Sequence, residues 1–455
     1  MKTIFITISR GSIAKNILHN DFYQIIKDAG LRIVILSPAF KYPDFIKEFD
    51  GENIFFEPLF EHKWTKLDYF FIGIHKALVY NESTVLRDSY GILDKGETNI
   101  FRKFFKRIIF KPLSSFGWLK ELVRFSDYIF CPDKKYKKIF EQYKPELVFS
   151  TNPMENDDSY VLKAAKKFTA KTMAMPKSWD GLSKVALRVK PDHICLWGEG
   201  LIEPAIKFQN IEKKNISVVG VPQYDIYARP DMLSTKEEFF KHIGADPERE
   251  LLIFGSTARY SPFDPEIVEM ILKWIEKGEL NKKCALFIRP CFSSKDDEKK
   301  FVRFIGRQNV VVDRWFARNN VFRDMWDYST NHLVHFADLL RHSAMMINYC
   351  STLTIDAAAN DKPVISLLFD GKEKREYGES IARWYDTTHY KAVVALNGTA
   401  MANSPEELKS AINAYLENPN LYSEGRSKLR DNFCYKIDGN SGKRLAEILL
   451  EILLK

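Results

Sequence analysis

The sequence lacks the signatures of several large protein classes. Its six cysteines show no C-x-x-C spacing, so neither a zinc cluster nor a dithiol redox centre is expected. No run of about eighteen apolar residues is present, which argues against a transmembrane helix. The first apolar run, residues 3–8, is too short for a signal peptide. We therefore expect a cytoplasmic protein with reduced thiols.

Two nucleotide-binding fingerprints are also missing. No G-x-G-x-x-G follows the first predicted strand, and no G-x-x-x-x-G-K-S/T occurs. A dinucleotide redox cofactor and a P-loop site are therefore not expected. No D-x-D follows a strand end in a suitable context, and no His/Cys cluster has the spacing of metal ligands. We expect neither a metal ion nor any other cofactor.

Length and charge set broad limits on what the protein can be. A chain of 455 residues exceeds what one hydrophobic core usually organises, so two domains are expected. The formal net charge of +8 is modest for this length and favours an anionic substrate or surface. Because no recognisable nucleic-acid motif accompanies the charge, we expect no nucleic-acid partner.

Apolar strands that alternate with helices predict two doubly wound, Rossmann-like α/β domains facing a cleft. Residues 3–8, 31–36 and 53–56 are predicted strands, and residues 15–29 are predicted to form one amphipathic helix. Strands that are apolar throughout imply parallel sheets covered on both faces. The predicted divisions are an N-terminal domain over residues 1–226, a C-terminal domain over 227–442, and a helix over 443–455 that packs back across both.

One stretch, residues 345–366, is predicted to organise the second domain as buried strand, sharp turn, helix and buried strand. Ser351 and Thr352 fall where the helix begins. Their hydroxyls and the free N–H groups of the first turn would suit a diphosphate. The alternative is that Ser351 only caps the helix.

Residues 64–140 are predicted to form a helical, basic insertion in the first domain. Cations and aromatic residues interleave between residues 101 and 111, and as a helix they would separate onto opposite faces, which is typical of an interfacial membrane helix. The predicted membrane contacts are Phe101, Arg102, Lys103, Phe104, Phe105, Lys106 and Arg107. The partner would be an anionic leaflet. The alternative is a core helix with a solvated basic face.

Polar residues follow the predicted strands of both domains. Because the carboxyl ends of parallel strands meet at one edge of a sheet, the cleft between two such edges is the expected ligand site. The predicted donor-binding residues are Gly255, Ser256, Thr257, Arg289, Ser351 and Thr352. The predicted acceptor-binding residues are Ser9, Arg10 and Gly11. His335, which precedes a helix predicted over residues 336–342, is a further candidate for holding phosphate, unless it is simply a packed histidine.

Several motifs resemble glycosyltransferases of the GT-B fold. Residues 348–358 (NYCSTLTIDAA), followed by KPVI at 362–365, resemble the donor-binding segment of these enzymes. Residues 404–408 and 438–446 resemble their C-terminal region. Residues 145–148, 177–180 and 220–225 resemble a subgroup of surface-polysaccharide synthesis that is related to CDP-glycerol glycerophosphotransferases. This resemblance implies the GT-B fold and transferase activity with a nucleotide-sugar donor.

One departure from the GT-B pattern concerns stereochemistry. Retaining enzymes of the largest GT-B family carry two glutamates eight positions apart, where this sequence has Asn348 and Asp356. The retaining assignment therefore does not transfer. Asp356 would contact the donor sugar or ribose, or else bond its own first helical turn.

An inverting transfer needs a general base near the acceptor hydroxyl, while the departing diphosphate is stabilised electrostatically without a metal. Asp180 is the first candidate because it lies on a short predicted loop at the sheet edge. The alternative is that its side chain has no catalytic role and simply forms an Asx turn. Asp157 and Asp158, with Glu155, are the next candidates; they lie in a polar loop predicted after residue 150.

These observations give one leading hypothesis and three alternatives. The leading hypothesis is a metal-independent glycosyltransferase that moves a sugar from a nucleotide-activated donor to a cell-surface glycan or a lipid-linked acceptor. It would be cytoplasmic and peripheral on the inner face of the cell membrane. The alternatives are a CDP-glycerol-type glycerophosphotransferase, a non-hydrolysing nucleotide-sugar 2-epimerase, and a non-catalytic envelope-assembly scaffold.

Overall fold

The computed structural model describes residues 1–91, 100–292, 294, 296–316 and 318–455. Within them, one sheet contains β1 (Thr3–Thr7), β2 (Arg32–Ser37), β3 (Ile54–Pro58), β4 (Leu147–Ser150), β5 (Lys171–Ala174), β6 (His193–Leu196) and β7 (Ile216–Val218). The other contains β8 (Glu250–Gly255), β9 (Cys284–Arg289), β10 (Val310–Val312), β11 (Met345–Asn348), β12 (Val364–Leu367) and β13 (Ala400–Ala402).

Both sheets have parallel pairing and share one winding pattern. The strand order is β3-β2-β1-β4-β5-β6-β7 in the first sheet and β10-β9-β8-β11-β12-β13 in the second. The order reverses between β1 and β4 and between β8 and β11, and ligands of such sheets bind beyond these switch points. All side chains of β1, β4 and β11 are buried, as expected where helices cover both faces of a sheet. The prediction of two doubly wound Rossmann-like domains is confirmed.

Helices connect the strands and cover the sheets. In the first half they are α1 (Gly11–Leu18), α2 (Asp21–Asp28), α3 (Pro43–Phe49), α4 (Lys66–Leu78), α5 (Glu82–Tyr90), α6 (Ile100–Leu113), α7 (Gly117–Phe130), α8 (Lys137–Tyr143), α9 (Asn156–Lys167), α10 (Gly181–Lys184) and α11 (Ile202–Gln209). In the second half they are α12 (Lys236–Ile243), α13 (Asp264–Glu276), α14 (Asn331–His342), α15 (Leu353–Ala359), α16 (Thr388–Val394), α17 (Pro405–Glu417), α18 (Ser423–Phe433) and α19 (Ser441–Leu454).

Three helix predictions need correction. The single helix predicted over residues 15–29 is wrong, because Asn20 adopts an extended conformation and its side chain accepts a hydrogen bond from the N–H of Phe22, which starts α2 as a separate helix. Helix α9 begins at Asn156, so Asp157 and Asp158 lie in its first turn and not in a loop. Helix α14 begins at Asn331, so His335 lies inside a helix and does not precede one.

The last helix of the chain returns to the first domain. Helix α19 packs on α2, and the N–H groups of Ser441 and Gly442 donate to the carboxylate of Asp225 at 2.9 and 2.8 Å. The ammonium of Lys2 donates to the carbonyl of Leu453 at 2.6 Å. The residue bounds proposed for the two domains stay a prediction.

Helix α7 has its charged residues inside and its apolar residues outside. Lys120, Arg124 and Asp127 are buried. The opposite face is exposed to solvent, with relative exposures of 65% for Trp118, 51% for Leu122, 64% for Phe125 and 51% for Ile129. Helices α4 to α8 occupy the connection between β3 and β4. None of the described helices is long and apolar enough to cross a bilayer.

Asp127 is the centre of a buried charge network that fixes α7 to the first domain. Its carboxylate accepts hydrogen bonds from Arg188 at 2.6 and 2.8 Å, from Lys163 at 2.8 Å and from the ring of His75 at 3.0 Å. Arg188 also reaches Asp68 at 3.0 Å. Burial alone would raise the pKa of Asp127, but Arg188 and His75 hold it well below its usual value. The carboxylate is therefore ionised and fully paired.

Candidate active site between the two domains

A cavity of about 310 Å³ opens between the two domains. Its lining comes from α5 and α10 on one side and from loops, short 3-10 helices and the start of α16 in the second domain on the other. The lining residues are Ser83, Thr84, Arg87, Lys184, Thr257, Tyr260, Cys350, Ile381, Trp384, Thr387 and His389. We refer to this space as the interdomain cavity. Its hydroxyls, aromatic rings and cations suit an anionic ligand that also has a ring to bind.

Two cations give the interdomain cavity a positive character. Arg87 lines it and forms no ion pair with any described residue. Lys184 lines it as well, and its ammonium is paired with the carboxylate of Asp180 one helical turn earlier. Cation-rich sites of this kind bind phosphate groups. The described residues hold no group of three or more His, Cys, Asp or Glu suited to a metal ion.

Asp180, Lys184 and His389 influence one another beside the cavity. Burial opposes ionisation of Asp180, but the ammonium of Lys184 outweighs it and holds the pKa of this carboxyl below its usual value. Burial, and then Lys184, lowers the pKa of His389 to about 3, so this imidazole is neutral near pH 7. The ring of His389 contacts the hydroxyl of Ser83 at 3.2 Å, which joins the two domains across the cavity. Burial raises the pKa of the Cys350 thiol to about 12, which leaves it unreactive.

The three predicted donor-binding residues at the end of β8 have different surroundings. Two of them make contacts within the second domain, and one lines the cavity. At Gly255, an added Cβ would come within 2.5 Å of the end of the Leu353 side chain, so a larger residue would require that side chain to move. The hydroxyl of Ser256 donates to Asp264 at 2.5 Å and accepts from Lys300 at 3.1 Å, which keeps it inside the loop. Thr257 lines the interdomain cavity.

The predicted anion site at the start of α15 lies next to the cavity. Cys350 lines the cavity, and Ser351 and Thr352 follow it in half-buried positions. The hydroxyl of Ser351 accepts a hydrogen bond from the N–H of Leu353 at 3.3 Å. The side chain of Thr352 makes no capping bond. The capping role that was the alternative for Ser351 is therefore present in the structure.

Arg289 and Asp356 lie in a second, buried cluster. The guanidinium of Arg289 donates to Asp313 at 2.7 Å and lies 3.3 Å from the ring of His332, whose other nitrogen is 3.4 Å from Lys15. Burial raises the pKa of Asp356 to about 6, against the opposing effects of Tyr224, Arg289 and Lys15. These residues do not line the interdomain cavity.

His335 belongs to the core of the second domain. Its ring stacks on Trp315 with a centroid distance of 5.4 Å and lies 5.8 Å from the ring of Phe239. One ring nitrogen lies 3.4 Å from a carboxylate oxygen of Asp313. This position matches the alternative of a packed histidine, and His335 is not among the residues that line the interdomain cavity.

The predicted acceptor residues lie where the first domain meets the second. Arg10 pairs with Glu155, and the N–H of Gly11 donates to Asp324 at 3.1 Å. An added Cβ at Gly11 would come within 2.0 Å of the carbonyl oxygen of Trp326. The start of α1 is therefore in direct contact with the segment around Trp326 in the second domain. The hydroxyl of Ser9 is buried without a described partner.

The alternative bases Asp157 and Asp158 have structural partners. Asp158 is buried and accepts from the hydroxyls of Thr7 and Ser150, which ties the ends of β1 and β4 together. Burial raises its pKa to about 7, although these hydrogen bonds oppose the shift. Asp157 accepts from the N–H of His62 at 2.8 Å, and burial raises its pKa.

Arg87 and His389 were not singled out by the sequence. Arg87 lies in α5, far from any predicted strand end, and His389 follows a charged loop. The rule that ligand residues follow parallel strands could not identify them, because both reach the cavity through packing between distant segments. Lys184 lies four residues after Asp180, which the sequence analysis did single out.

Comparison with known families matches the C-terminal part of the chain. The family model of CDP-glycerol:poly(glycerophosphate) glycerophosphotransferase matches residues 205–451, which is more than half of the sequence. A search of curated proteins found no match. The family match confirms the predicted relation to the CDP-glycerol glycerophosphotransferase group.

Several solved structures share the fold over nearly the whole chain. UDP-GlcNAc 2-epimerase from Neisseria meningitidis, bound to UDP-GlcNAc, is 12% identical with a TM-score of 0.57, and the match covers 99% of this chain and 100% of that chain. The S. aureus MnaA–UDP co-structure is 11% identical with a TM-score of 0.55, covering 100% and 97%. A variant of the wall teichoic acid polymerase TagF with CDPG is 11% identical with a TM-score of 0.50, covering 100% and 88%. At such identities the similarity concerns the fold, and it confirms the GT-B architecture.

Proposed function

Because this chain belongs to the CDP-glycerol:poly(glycerophosphate) glycerophosphotransferase family, we propose that it cleaves a nucleotide diphosphate donor in the interdomain cavity and passes the activated group to an acceptor hydroxyl. It is a transferase of the GT-B type. The observation that carries the proposal is that Arg87 and Lys184 line a cavity built from both domains, with Asp180 paired to Lys184 beside it. Donor and acceptor would meet there without crossing open solvent.

The proposed chemistry needs a base and a stabilised leaving group. Arg87 and Lys184 would bind the diphosphate and neutralise the charge that develops on it, with no metal in the proposed step. Asp180 would take the proton of the acceptor hydroxyl as its oxygen attacks. In the free protein Lys184 holds the pKa of Asp180 low. A diphosphate that attracts Lys184 would weaken this ion pair, and its negative charge would raise the pKa of Asp180 towards that of a useful base.

The donor that we propose first is a nucleotide sugar, and the acceptor is a cell-surface glycan or a lipid-linked glycan. The hydroxyls of Ser83, Thr84 and Thr257 provide hydrogen-bond partners for sugar hydroxyls. Tyr260 and Trp384, whose ring centroids are 5.8 Å apart, provide aromatic faces for a sugar ring or a base. Transfer would break the bond between the sugar's anomeric carbon and the diphosphate oxygen and release a nucleoside diphosphate.

A second candidate is transfer of glycerol phosphate from CDP-glycerol, which the family match favours. The acceptor oxygen would then attack the phosphorus of the glycerol phosphate, and CMP would leave. The two candidates differ in the released nucleotide, so product analysis separates them. The 2-epimerase alternative would convert the donor with no acceptor present, and the scaffold alternative would bind no nucleotide.

A nucleotide panel tests the donor site. We expect one nucleoside diphosphate, or CDP-glycerol, to raise the melting temperature, because a ligand that binds only the folded state stabilises it. Arg87→Gln should lower that ligand's affinity roughly tenfold or more, since a hydrogen bond to a charged group contributes about 1.5–3 kcal/mol. Arg314→Gln, at an exposed position of the second domain, is the matched control. Absence of stabilisation by every nucleotide would contradict the proposal.

We also propose that the helical part of the first domain rests on an anionic membrane surface. Phe104 and Ile108 of α6 are exposed, and the outer face of α7 adds a second apolar strip. Large exposed apolar patches next to basic residues are typical of membrane-binding surfaces. The side chains of Phe101, Arg102, Lys103, Phe105 and Lys106 lie outside the described residues. The protein would act at the cytoplasmic face of the membrane.

Vesicle sedimentation tests this surface. Changing Phe101, Phe104 and Phe105 to serine should abolish co-sedimentation with phosphatidylglycerol vesicles, because apolar area and charge attraction act together. Val302→Ser, an exposed apolar position of the second domain, should leave sedimentation unchanged. Unaltered sedimentation of the triple variant would remove this helix from the membrane contact.

A further inference from the structure

An apolar groove lies on the other side of α5 from the interdomain cavity. It has a volume of about 670 Å³ and is formed by α4, α5 and α6. Its apolar lining includes Tyr69, Phe70, Ile74, Ala77, Phe104 and Phe110. We refer to it as the apolar groove. The transfer chemistry proposed for the interdomain cavity does not use it.

The middle of the groove is open because of a glycine. Gly73 lies in the interior of α4 and lines the groove. A Cβ added at this position would have no atom of the described residues within 4 Å. Glycine inside a helix is unfavourable by roughly 1 kcal/mol relative to alanine. Neither close packing nor a positive φ requires it here, and its consequence is open space above the groove floor.

The apolar groove and the interdomain cavity share a wall. Thr84 of α5 lines both spaces. One turn further on, Arg87 lines the cavity, whereas Val85 and Asp88 line the groove. A long molecule that lay in the groove could therefore place one end at Thr84, next to the interdomain cavity.

The surroundings of the groove favour a lipid over a soluble ligand. Phe70, Phe104 and Ile108 on α4 and α6 are exposed, as are Trp118 and Phe125 on α7, which packs against α4. Arg107 on its wall supplies a cation, whereas Lys76 is paired with Asp88 at 2.9 Å. A hydrocarbon chain could move from a bilayer into this groove while staying in contact with apolar side chains.

We infer that the apolar groove holds the hydrocarbon tail of a phosphate-bearing acceptor lipid, whose head group reaches the interdomain cavity past Thr84. This inference rests on the proposed transfer to a lipid-linked acceptor and specifies how such an acceptor binds. The tail supplies affinity through buried apolar area, and Arg87 with Lys184 positions the head group.

Filling the groove at Gly73 tests the inference. The probe is dodecyl phosphate below its micelle concentration, titrated calorimetrically into the full-length protein. We expect Gly73→Trp to weaken its binding roughly tenfold or more, because the indole occupies the space of the tail. Gly73→Ala is the matched control: it raises helix propensity in the same way, leaves most of the groove open, and should bind within about twofold of the unaltered protein.

Two further ligands identify which part of the probe is bound. Methyl phosphate carries the head group without the tail and should compete poorly, and dodecanol carries the tail without the head group and should bind more weakly. Equal binding of dodecyl phosphate by Gly73→Trp and Gly73→Ala would overturn the inference, as would full competition by methyl phosphate or a complete lack of binding.

The nucleotide panel, repeated on Gly73→Trp, separates failure of the inference from failure of the proposed function. If nucleotides still stabilise this variant and its dodecyl phosphate affinity is unchanged, the groove assignment alone is wrong. If no nucleotide stabilises the unaltered protein while dodecyl phosphate binding depends on Gly73, the groove assignment stands and the proposed transfer is wrong.

Discussion

Asp180→Asn is expected to lower kcat by a factor of roughly 10²–10⁴, the usual contribution of a general base. Asparagine keeps the shape of the side chain but cannot take a proton from the acceptor hydroxyl. The affinity for the nucleotide should remain, because Arg87 and Lys184 are unchanged. Steady-state kinetics with the favoured donor gives kcat, and thermal shift gives the nucleotide affinity.

The control for this variant is Asp231→Asn, which removes a carboxylate from an exposed position of the second half of the chain. It should leave kcat unaltered. An Asp180→Asn variant with full activity would exclude Asp180 as the base. A variant that loses nucleotide binding together with activity would show that Asp180 acts through the position of Lys184 instead.

The pH dependence provides an independent test of the same residue. A base must be ionised to accept a proton, so activity falls as the pH falls through its pKa. Lys184 holds the pKa of Asp180 below its usual value in the free protein, and the profile of kcat/KM reports on this state. Bound diphosphate should weaken the pair, so the acidic limb of the kcat profile should lie at higher pH. An acidic limb of kcat at or below that of kcat/KM would contradict the mechanism.

Asp127→Ala is expected to lower the free energy of unfolding by about 3–5 kcal/mol, the usual effect of breaking a buried ion pair. The change would leave Arg188 and Lys163 buried without their shared carboxylate. Because the inner face of α7 is held by this network, its outer apolar face should lose its fixed orientation as well. Urea denaturation followed by circular dichroism measures the loss.

An exposed ion pair provides the comparison. Glu424 pairs with Lys428 on the surface of α18, and Glu424→Ala should change stability little, because exposed pairs are screened by water. If Asp127→Ala unfolds at the same urea concentration as Glu424→Ala, the network does not hold α7 in place.

The parallel direction of the strands could be predicted because each predicted strand is a continuous apolar run. Residues 3–8 and 345–348 had to be buried on both faces, and only parallel sheets covered by helices provide such positions. The boundary between α1 and α2 was missed because the hydrophobic period continues across it, whereas a local hydrogen bond from Phe22 to Asn20 decides it. The capping hydrogen bond at Asn20, and not the hydrophobic periodicity, therefore determines where one helix ends and the next begins.

The candidate site was harder to predict than the fold. Thr257 followed from the rule that ligands bind beyond strand ends, and it does line the cavity. Arg289 followed from the same rule, but Asp313 and His332 hold it in a buried cluster away from the cavity. The buried charged face of α7 could not be predicted from the sequence, since the partners of Asp127 come from positions as distant as His75 and Arg188.

The return of α19 to the first domain also determines the order in which the protein can fold during synthesis. Leu445, Leu449 and Leu453 belong to the same buried cluster as the strands at the start of the chain. Contacts between residues 2 and 453 form only after every intervening residue has left the ribosome, and such long loops close slowly. The first domain therefore emerges first but completes its core last. Until then its incomplete core is exposed, which makes it a natural client for chaperones.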